Sequence, residues 1–262
     1  MEKVTESLDS HDNVDVVYLD FAKTFDKVPH QQLIEKVEGI SGNVLGWLKA
    51  WLSARQQLVC VNGQKSSWKA VSRGVPQGSV LGPILFQIFI NDLDSTLISS
   101  ILKFADDTKL FGRVNTDIDR EVLQRDLHHP TEWSEKWQMQ FNTLNTAKCV
   151  IMHFGSSNKE FDYYMDNQKL AAIKEVKDLG IAITGTLKPG TQCQQAYAKA
   201  SRALGLIARS ISYKSPEVLL KLYKTFVHPH VEYCVSAWSP YYGKDKPYPA
   251  QILHEWFRDL RH

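Results

Sequence analysis

The sequence is poor in cysteine, with only Cys60, Cys149, Cys193 and Cys234, far apart and without a C-x-x-C pair. That excludes a disulfide framework and points to a reducing, intracellular compartment. Long apolar runs are also missing. The longest, Val80–Ile90, is broken by Gly82, Pro83 and Gln87, whereas a bilayer span needs about 20 residues; no membrane partner is expected. The first residues, MEKVTESLDSHDN, are charged and polar, which excludes a secretory signal, and no other targeting signal is evident. Internal repeats and low-complexity tracts are absent. Net charge is nearly absent too: 31 Lys and Arg oppose 29 Asp and Glu, leaving +2. Taken whole, the chain carries no nucleic-acid signature.

What is present is enough apolar material for a sizeable core: 43% hydrophobic and 23% charged over 262 residues. At roughly 150 residues per domain, this allows one large or two modest domains. The charge is unevenly spread. Residues 1–26 hold seven acids and two lysines, whereas residues 188–228 hold seven bases and the single acid Glu217. A basic helical region of that kind either grips a phosphate backbone or forms a solvated helix face.

Patterning predicts a short helix over 2–9, a buried strand over Val14–Leu19 and helix over Leu33–Trp51 with a break at Ser41-Gly42. Strands over Gln57–Val61 and Ser66–Val71 flank Asn62-Gly63, a hairpin signal. Gly74–Gly78 reads as a loop, and Ser79 as the cap of an apolar helix reaching about Leu93. Ile101–Ala105 and Thr108–Phe111 read as strands joined at a tip formed by Asp106-Asp107. Residues 116–140 read as helical, with Pro130 breaking the run or starting a second helix. Lys148–Phe154, Phe161–Met165 and Glu175–Ile183 are strand candidates. Ala196–Ser210 and Pro216–His228 read as helices, Ser215-Pro216-Glu217 marking the second start. A boundary near 187 separates a mixed part from an all-helical part.

Asp20 closes one apolar strand, and Asp106 and Asp107 follow another. A carboxylate beside a core is costly unless it is paired, hydrogen-bonded or on a metal. Three brought together would repel one another, and divalent cations with oxygen ligands, such as Mg²⁺, relieve that repulsion. Taken one at a time, Asp106-Asp107 reads equally as a turn and Asp20 as a strand terminator.

The blocks VDVVYLDFAKTFDKVPH (14–30), RGVPQGSVLGPILFQIFINDL (73–93) and FADDTKLFG (104–112) closely resemble, in order and spacing, the reverse transcriptases of non-LTR (LINE-type) retrotransposons, jockey-like clade. Further matches are WSEKWQMQF (133–141), LNTAKC (144–149), VKDLG (176–180) and a long stretch opening with LKPGTQCQQAYAKASRALGLIARS. The resemblance implies an α+β fold: a palm of small antiparallel sheet packed with helices over 1–187, then an all-helical thumb over 188–262. It implies RNA-directed DNA polymerisation, with RNA template, DNA primer and dNTP as partners. It implies two Mg²⁺ ions, replaceable by Mn²⁺, held by Asp20, the Phe21 carbonyl, Asp106 and Asp107. Phe25 becomes a steric gate favouring dNTPs, though its residue type also fits plain core packing. Gln77 and Gly78 become the loop that meets nucleotide and template. Lys148 becomes a general acid, though it reads equally as an exposed lysine. Leu179-Gly180 resembles a turn supporting the primer end, and a site of action at chromosomal DNA implies a nuclear role.

The chain also departs from the family. The resemblance begins just before the first catalytic block, so the expected unit lacks the fingers and endonuclease. Thr24 stands where the family usually has Ala, His128-His129-Pro130 interrupts a helical stretch, extra residues lie around Thr143–Asn145, and the tail diverges from about residue 247. Three readings follow: a polymerase palm and thumb; a catalytically inactive remnant that at most binds nucleic acid through its basic thumb; and a module completed by separately encoded fingers.

Overall fold

The computed structural model describes residues 2–37, 39, 42–142, 148–213 and 215–239. The divergent tail, Lys214 and most of the LNTAKC block lie outside the described residues. Two compact units result, Met1–Ile173 and Lys174–His262.

The first unit opens with α1 (Glu2–Asp9) and β1 (Val14–Leu19), followed by the short α2 (Thr24–Lys27), α3 (His30–Lys36) and α4 (Asn43–Leu52). A ribbon of two-residue strands comes next: β2 (Gln56–Gln57), β3 (Cys60–Val61), β4 (Gln64–Lys65) and β5 (Lys69–Ala70). Asn62 and Gly63, at φ 50 and 81, make its expected tight turn. Then come α5 (Leu81–Phe89), β6 (Ser100–Phe104), β7 (Asp107–Arg113), α6 (Asp117–Lys136), β8 (Val150–Phe154), β9 (Tyr164–Met165), β10 (Gln168–Lys169) and β11 (Ala171–Ala172). Ser79 Oγ accepts from the Gly82 N–H at 2.9 Å, as expected of a cap.

The main sheet has the order β11-β8-β1-β7-β6, with β1 antiparallel to both neighbours and β11 parallel to β8. All six residues of β1 are buried, which is why Val16–Leu19 run without polar alternation. Val17, Leu19 and Phe21 join one core with Leu33 of α3, Phe86 and Phe89 of α5, Leu110 of β7, and Leu127 and Trp133 of α6. Lys36 is held in this core region by its ion pair with Asp92 and by the Trp137 ring, whose centroid lies 3.8 Å from its ammonium. Burial pulls that ammonium below the ordinary lysine pKa.

One polar residue of β1 is fully buried. Asp15 Oδ1 accepts from His153 Nδ1 at 2.7 Å and Asn158 Nδ2 at 2.8 Å, and Asp15 Oδ2 accepts from the Tyr163 hydroxyl at 2.8 Å. Burial, then the Asp15 charge, push the Tyr163 phenol well above its usual range.

Two local expectations need correction. Pro130 neither breaks nor restarts a helix: α6 runs unbroken through it, capped by a reciprocal Thr116–Asp119 box. Leu123, Leu127, Pro130 and Trp133 are all buried along it, and that packing offsets the lost N–H bond. The segment Glu175–Ile183 is a hairpin, β12 (Glu175–Asp178) and β13 (Ile181–Thr184), turning at Leu179 and Gly180 with φ 44 and 88.

That hairpin belongs to the second unit, so the compact division falls after Ile173, ahead of the composition change near 187. The unit continues with α7 (Gly190–Ser210), α8 (Pro216–Leu222), a π-helical turn, α9 (His228–Glu232) and α10 (Val235–Trp238). Gln192 Oε1 accepts from the Ala182 N–H at 2.9 Å, and Ile181 packs with Cys193, Ala196 and Trp238. The apolar side chains of the hairpin thus find their partners C-terminally, and packing sets the boundary.

Candidate active site

The site begins with register. Leu19 pairs with Thr108, and Val14 with Arg113, so the end of β1 lies beside the start of β7. Asp20 is thereby brought to the β6–β7 turn across 86 residues of sequence. The turn sits one residue earlier than the sequence suggests. Phe104 pairs with Asp107, leaving Ala105 and Asp106 as the loop, with Ala105 left-handed at φ 53. Asp106 is half-buried at the tip, whereas Asp107 is exposed as the first residue of β7.

An open cavity of about 500 Å³ lies over this junction. It is lined by Asp20, Phe21, Phe25, Gln77, Asp106 and Lys148, six of the residues expected from sequence, and by Lys23, Thr24, Lys27 and Asn142, among others. Asp107 and Gly78 are not in its lining.

Three oxygens face two neutral donors here. The Asn142 amide donates to Asp20 Oδ2 and, at 3.4 Å, to the Phe21 carbonyl. The Thr24 hydroxyl lies 3.4 Å from both the Phe21 carbonyl and Asp106 Oδ2. Lys148 Nζ is 3.4 Å from Asp20 Oδ2 and otherwise exposed. Behind the site, burial pushes the Cys149 thiol up to about 11. Among the described residues no three histidine, cysteine or acidic side chains converge as a metal cluster. The pocket instead offers two carboxylates and one main-chain carbonyl, an all-oxygen donor set of the kind hard divalent cations prefer.

The loop over Gly74–Gly78 is fixed from beneath. Val75 N–H donates to the Phe25 carbonyl and Gly74 N–H to the Val28 carbonyl, each at 2.7 Å. His30 Nε2 lies 2.8 Å from the Gly74 carbonyl. Gly74 has φ +90, and a Cβ there would stand 2.8 Å from the Asp26 carbonyl oxygen. Gly74→Ala should therefore cost about 2 kcal/mol or more, from left-handed strain plus the clash, read as a lower urea midpoint. Gly78 is different: its φ is +79, yet a Cβ would meet nothing within 4 Å, so only its backbone angle constrains it. Gln77 reaches back to Asp26 Oδ1 at 3.4 Å. Phe25 is braced by the Phe86 ring, 5.3 Å centroid to centroid.

Sequence reasoning did not find Asn142 as a site residue, and it met Thr24 only as a departure. Asn142 follows the mixed block WSEKWQMQF and carries no charge, so composition gave no signal. Lys23 and Lys27 were also passed over, although they lie within the first block.

This arrangement of sheet, helices and paired strand-end carboxylates is that of a polymerase palm. The profile described as Reverse transcriptase (RNA-dependent DNA polymerase) matches residues 4–183, and the chain belongs to that family. Within it the chain is related to non-LTR retrotransposon enzymes. It is 30% identical over 218 residues to the RNA-directed DNA polymerase from mobile element jockey of Drosophila melanogaster, covering 78% of this chain and 24% of that protein. It is 26% identical to the jockey protein of Drosophila funebris, covering 89% and 27%. It is 29% identical to the probable RNA-directed DNA polymerase from transposon X-element of Drosophila melanogaster, covering 91% and 27%. The chain thus spans about a quarter of the length of these curated relatives. In fold it is similar to apo telomerase from Candida tropicalis, with TM-score 0.53 and 13% identity, covering 99% of this chain and 43% of that one. Membership of the family implies use of divalent metal.

Proposed function

We propose that the chain supplies the palm and thumb of an RNA-directed DNA polymerase, adding dNTPs to a primer 3′-hydroxyl on an RNA template. The observation that carries this reading is the convergence of Asp20, Asp106 and the Phe21 carbonyl in one open pocket that also holds Phe25. Those oxygens, with Asp107 on the adjoining strand, would hold two Mg²⁺ ions, or Mn²⁺ in their place. Such ions, when bound, supply Lewis acidity to the phosphate and lower the pKa of the attacking hydroxyl.

The remaining work falls to the chain's own groups. Phe25, braced by Phe86, stands as a bulky wall against a ribose 2′-hydroxyl. Gln77, exposed on the glycine-bounded loop, is placed to meet the nucleotide or template. Lys148 would serve as the general acid toward the departing pyrophosphate. Lys23 and Lys27 line the same cavity and add positive charge for a triphosphate. In the second unit, Arg202, Arg209, Lys221 and Lys224 are exposed, which supports a grip on a nucleic-acid backbone. The same proposal places the site of action in the nucleus, with the DNA to be primed.

Extension of an oligo(dT) primer on poly(rA), with dTTP and Mg²⁺, tests the reading. The parent should extend the primer and Asp106→Ala should not. A folded parent that binds primer–template, with affinity falling steeply in salt, yet never extends it would establish instead the second reading, nucleic-acid binding through the exposed bases alone.

A further inference from the structure

Asn142 carries an amide with two hydrogens and stands before two acceptors, Asp20 Oδ2 and the Phe21 carbonyl. Both acceptors belong to the oxygen set assigned above to the cations. Its position does not depend on that amide. Ala22 N–H donates to the Gln140 carbonyl at 2.7 Å, and Asn142 N–H donates to the Asp20 carbonyl at 2.8 Å. Between these bonds Phe21 bridges Phe141 in antiparallel fashion, with the two rings stacked at 4.3 Å. Residues 140–142 therefore form a short ladder along 20–22, and this ladder delivers the amide to the carboxylate.

We propose that Asn142 is the positioning residue of the cation site: it holds the Asp20 carboxylate and the Phe21 carbonyl in one orientation without neutralising either. The proposal rests on the polymerase reading of the pocket. Its physical basis is the contrast between the two donors to Asp20. Lys148 is a cation on a long, 57% exposed side chain, 3.4 Å from Asp20 Oδ2; it competes with an incoming divalent ion for the same charge. The amide is neutral, planar and anchored by main-chain bonds on either side. It fixes direction and leaves the charge free. Thr24, 5% exposed, brings its hydroxyl within 3.4 Å of both the Phe21 carbonyl and Asp106 Oδ2 and donates its one hydrogen to one of them at a time. Donors that orient metal ligands in this way commonly contribute 10–100-fold in metal affinity.

Mn²⁺ binding provides the test, with free ion followed by its electron paramagnetic resonance signal and folding by circular dichroism. Asn142→Leu keeps the volume and removes both donors; it should remain folded and bind Mn²⁺ about tenfold or more weakly. Asn142→Ser keeps one donor on a shorter arm and should fall between the two. Asp20→Asn should abolish binding. A folded Asn142→Leu that binds Mn²⁺ like the parent, while Asp20→Asn does not, overturns the proposal and leaves the polymerase reading intact. If Asn142→Leu fails to fold, an Asn142→Ser protein with parental affinity overturns it equally. A parent that binds no Mn²⁺, or an Asp20→Asn protein that binds it as tightly as the parent, overturns the reading of the pocket itself. A lowered melting temperature with unchanged Mn²⁺ affinity marks a merely structural asparagine and also refutes the proposal.

Discussion

Asp20→Asn should lower the rate of primer extension by about 10³-fold or more, with the fold unchanged. The substitution is nearly isosteric. The Asp20 main chain still accepts from Asn142 N–H at 2.8 Å, and its side chain is 32% exposed, so little packing is lost. What disappears is an anion at the one place where β1 ends beside the β6–β7 turn. Removing a single well-placed transition-state group commonly costs 10²–10³ in rate, and a charged ligand shared by the reacting centre exceeds that. The same change at Asp106 should be as severe, and the double variant no worse than either alone, because the two carboxylates act as one unit. Asp107→Asn should be milder, since Asp107 is exposed and outside the cavity lining. Single-turnover extension with Mg²⁺ measures all of these. An Asp20→Asn protein retaining a tenth of the parental rate would remove this carboxylate from the reaction.

The second large effect concerns stability and lies away from the site. Asp15→Leu should cost about 3–5 kcal/mol in the first unit. It removes the shared acceptor of three donors at once, His153 Nδ1, Asn158 Nδ2 and the Tyr163 hydroxyl, arranged around a carboxylate with 0% exposure; Asn158 Nδ2 keeps only its bond to the Phe154 carbonyl at 3.0 Å and a longer one to Val14. Tyr163→Phe removes only one of those bonds and should cost about 1–3 kcal/mol. The two changes should not add, because they share a partner. With two compact units present, a single melting curve mixes their transitions. Amide hydrogen exchange at β1 and β8 isolates the relevant one, and faster exchange there in Asp15→Leu is the expected result. Parental exchange in that variant would mean the network contributes nothing to holding the β1–β8 pair.

Much of the site was legible because its residues are chemically marked and sit at element ends. Asp20 terminates an apolar strand, Asp106 stands at a turn between two strands, and Gln77 lies in a segment too rich in Gly and Pro for helix. The order and spacing of those blocks sufficed for family membership. The tip of the β6–β7 hairpin was misplaced by one residue because Ala105 adopts φ 53, a conformation that propensity assigns to Gly, Asn or Asp. Pro130 misled for the opposite reason: propensity is local, whereas the burial of Leu127, Pro130 and Trp133 is tertiary.

The sequence by itself determined much of the run of strands and helices and the candidate carboxylates, because periodicity and residue chemistry are written locally. Only the tertiary structure decided which carboxylates meet. The pairing of Leu19 with Thr108 brings Asp20 to Asp106, and the turn leaves Asp107 outside. It alone decided that Asn142 and Thr24 bind the site oxygens, that Asp15 is a buried hub, and that the hairpin after Ile173 packs with the helices that follow. The physical reason is common to all four. Hydrogen bonds and burial depend on distances between residues remote in sequence, and strand register, which sets those distances, is a property of the folded sheet.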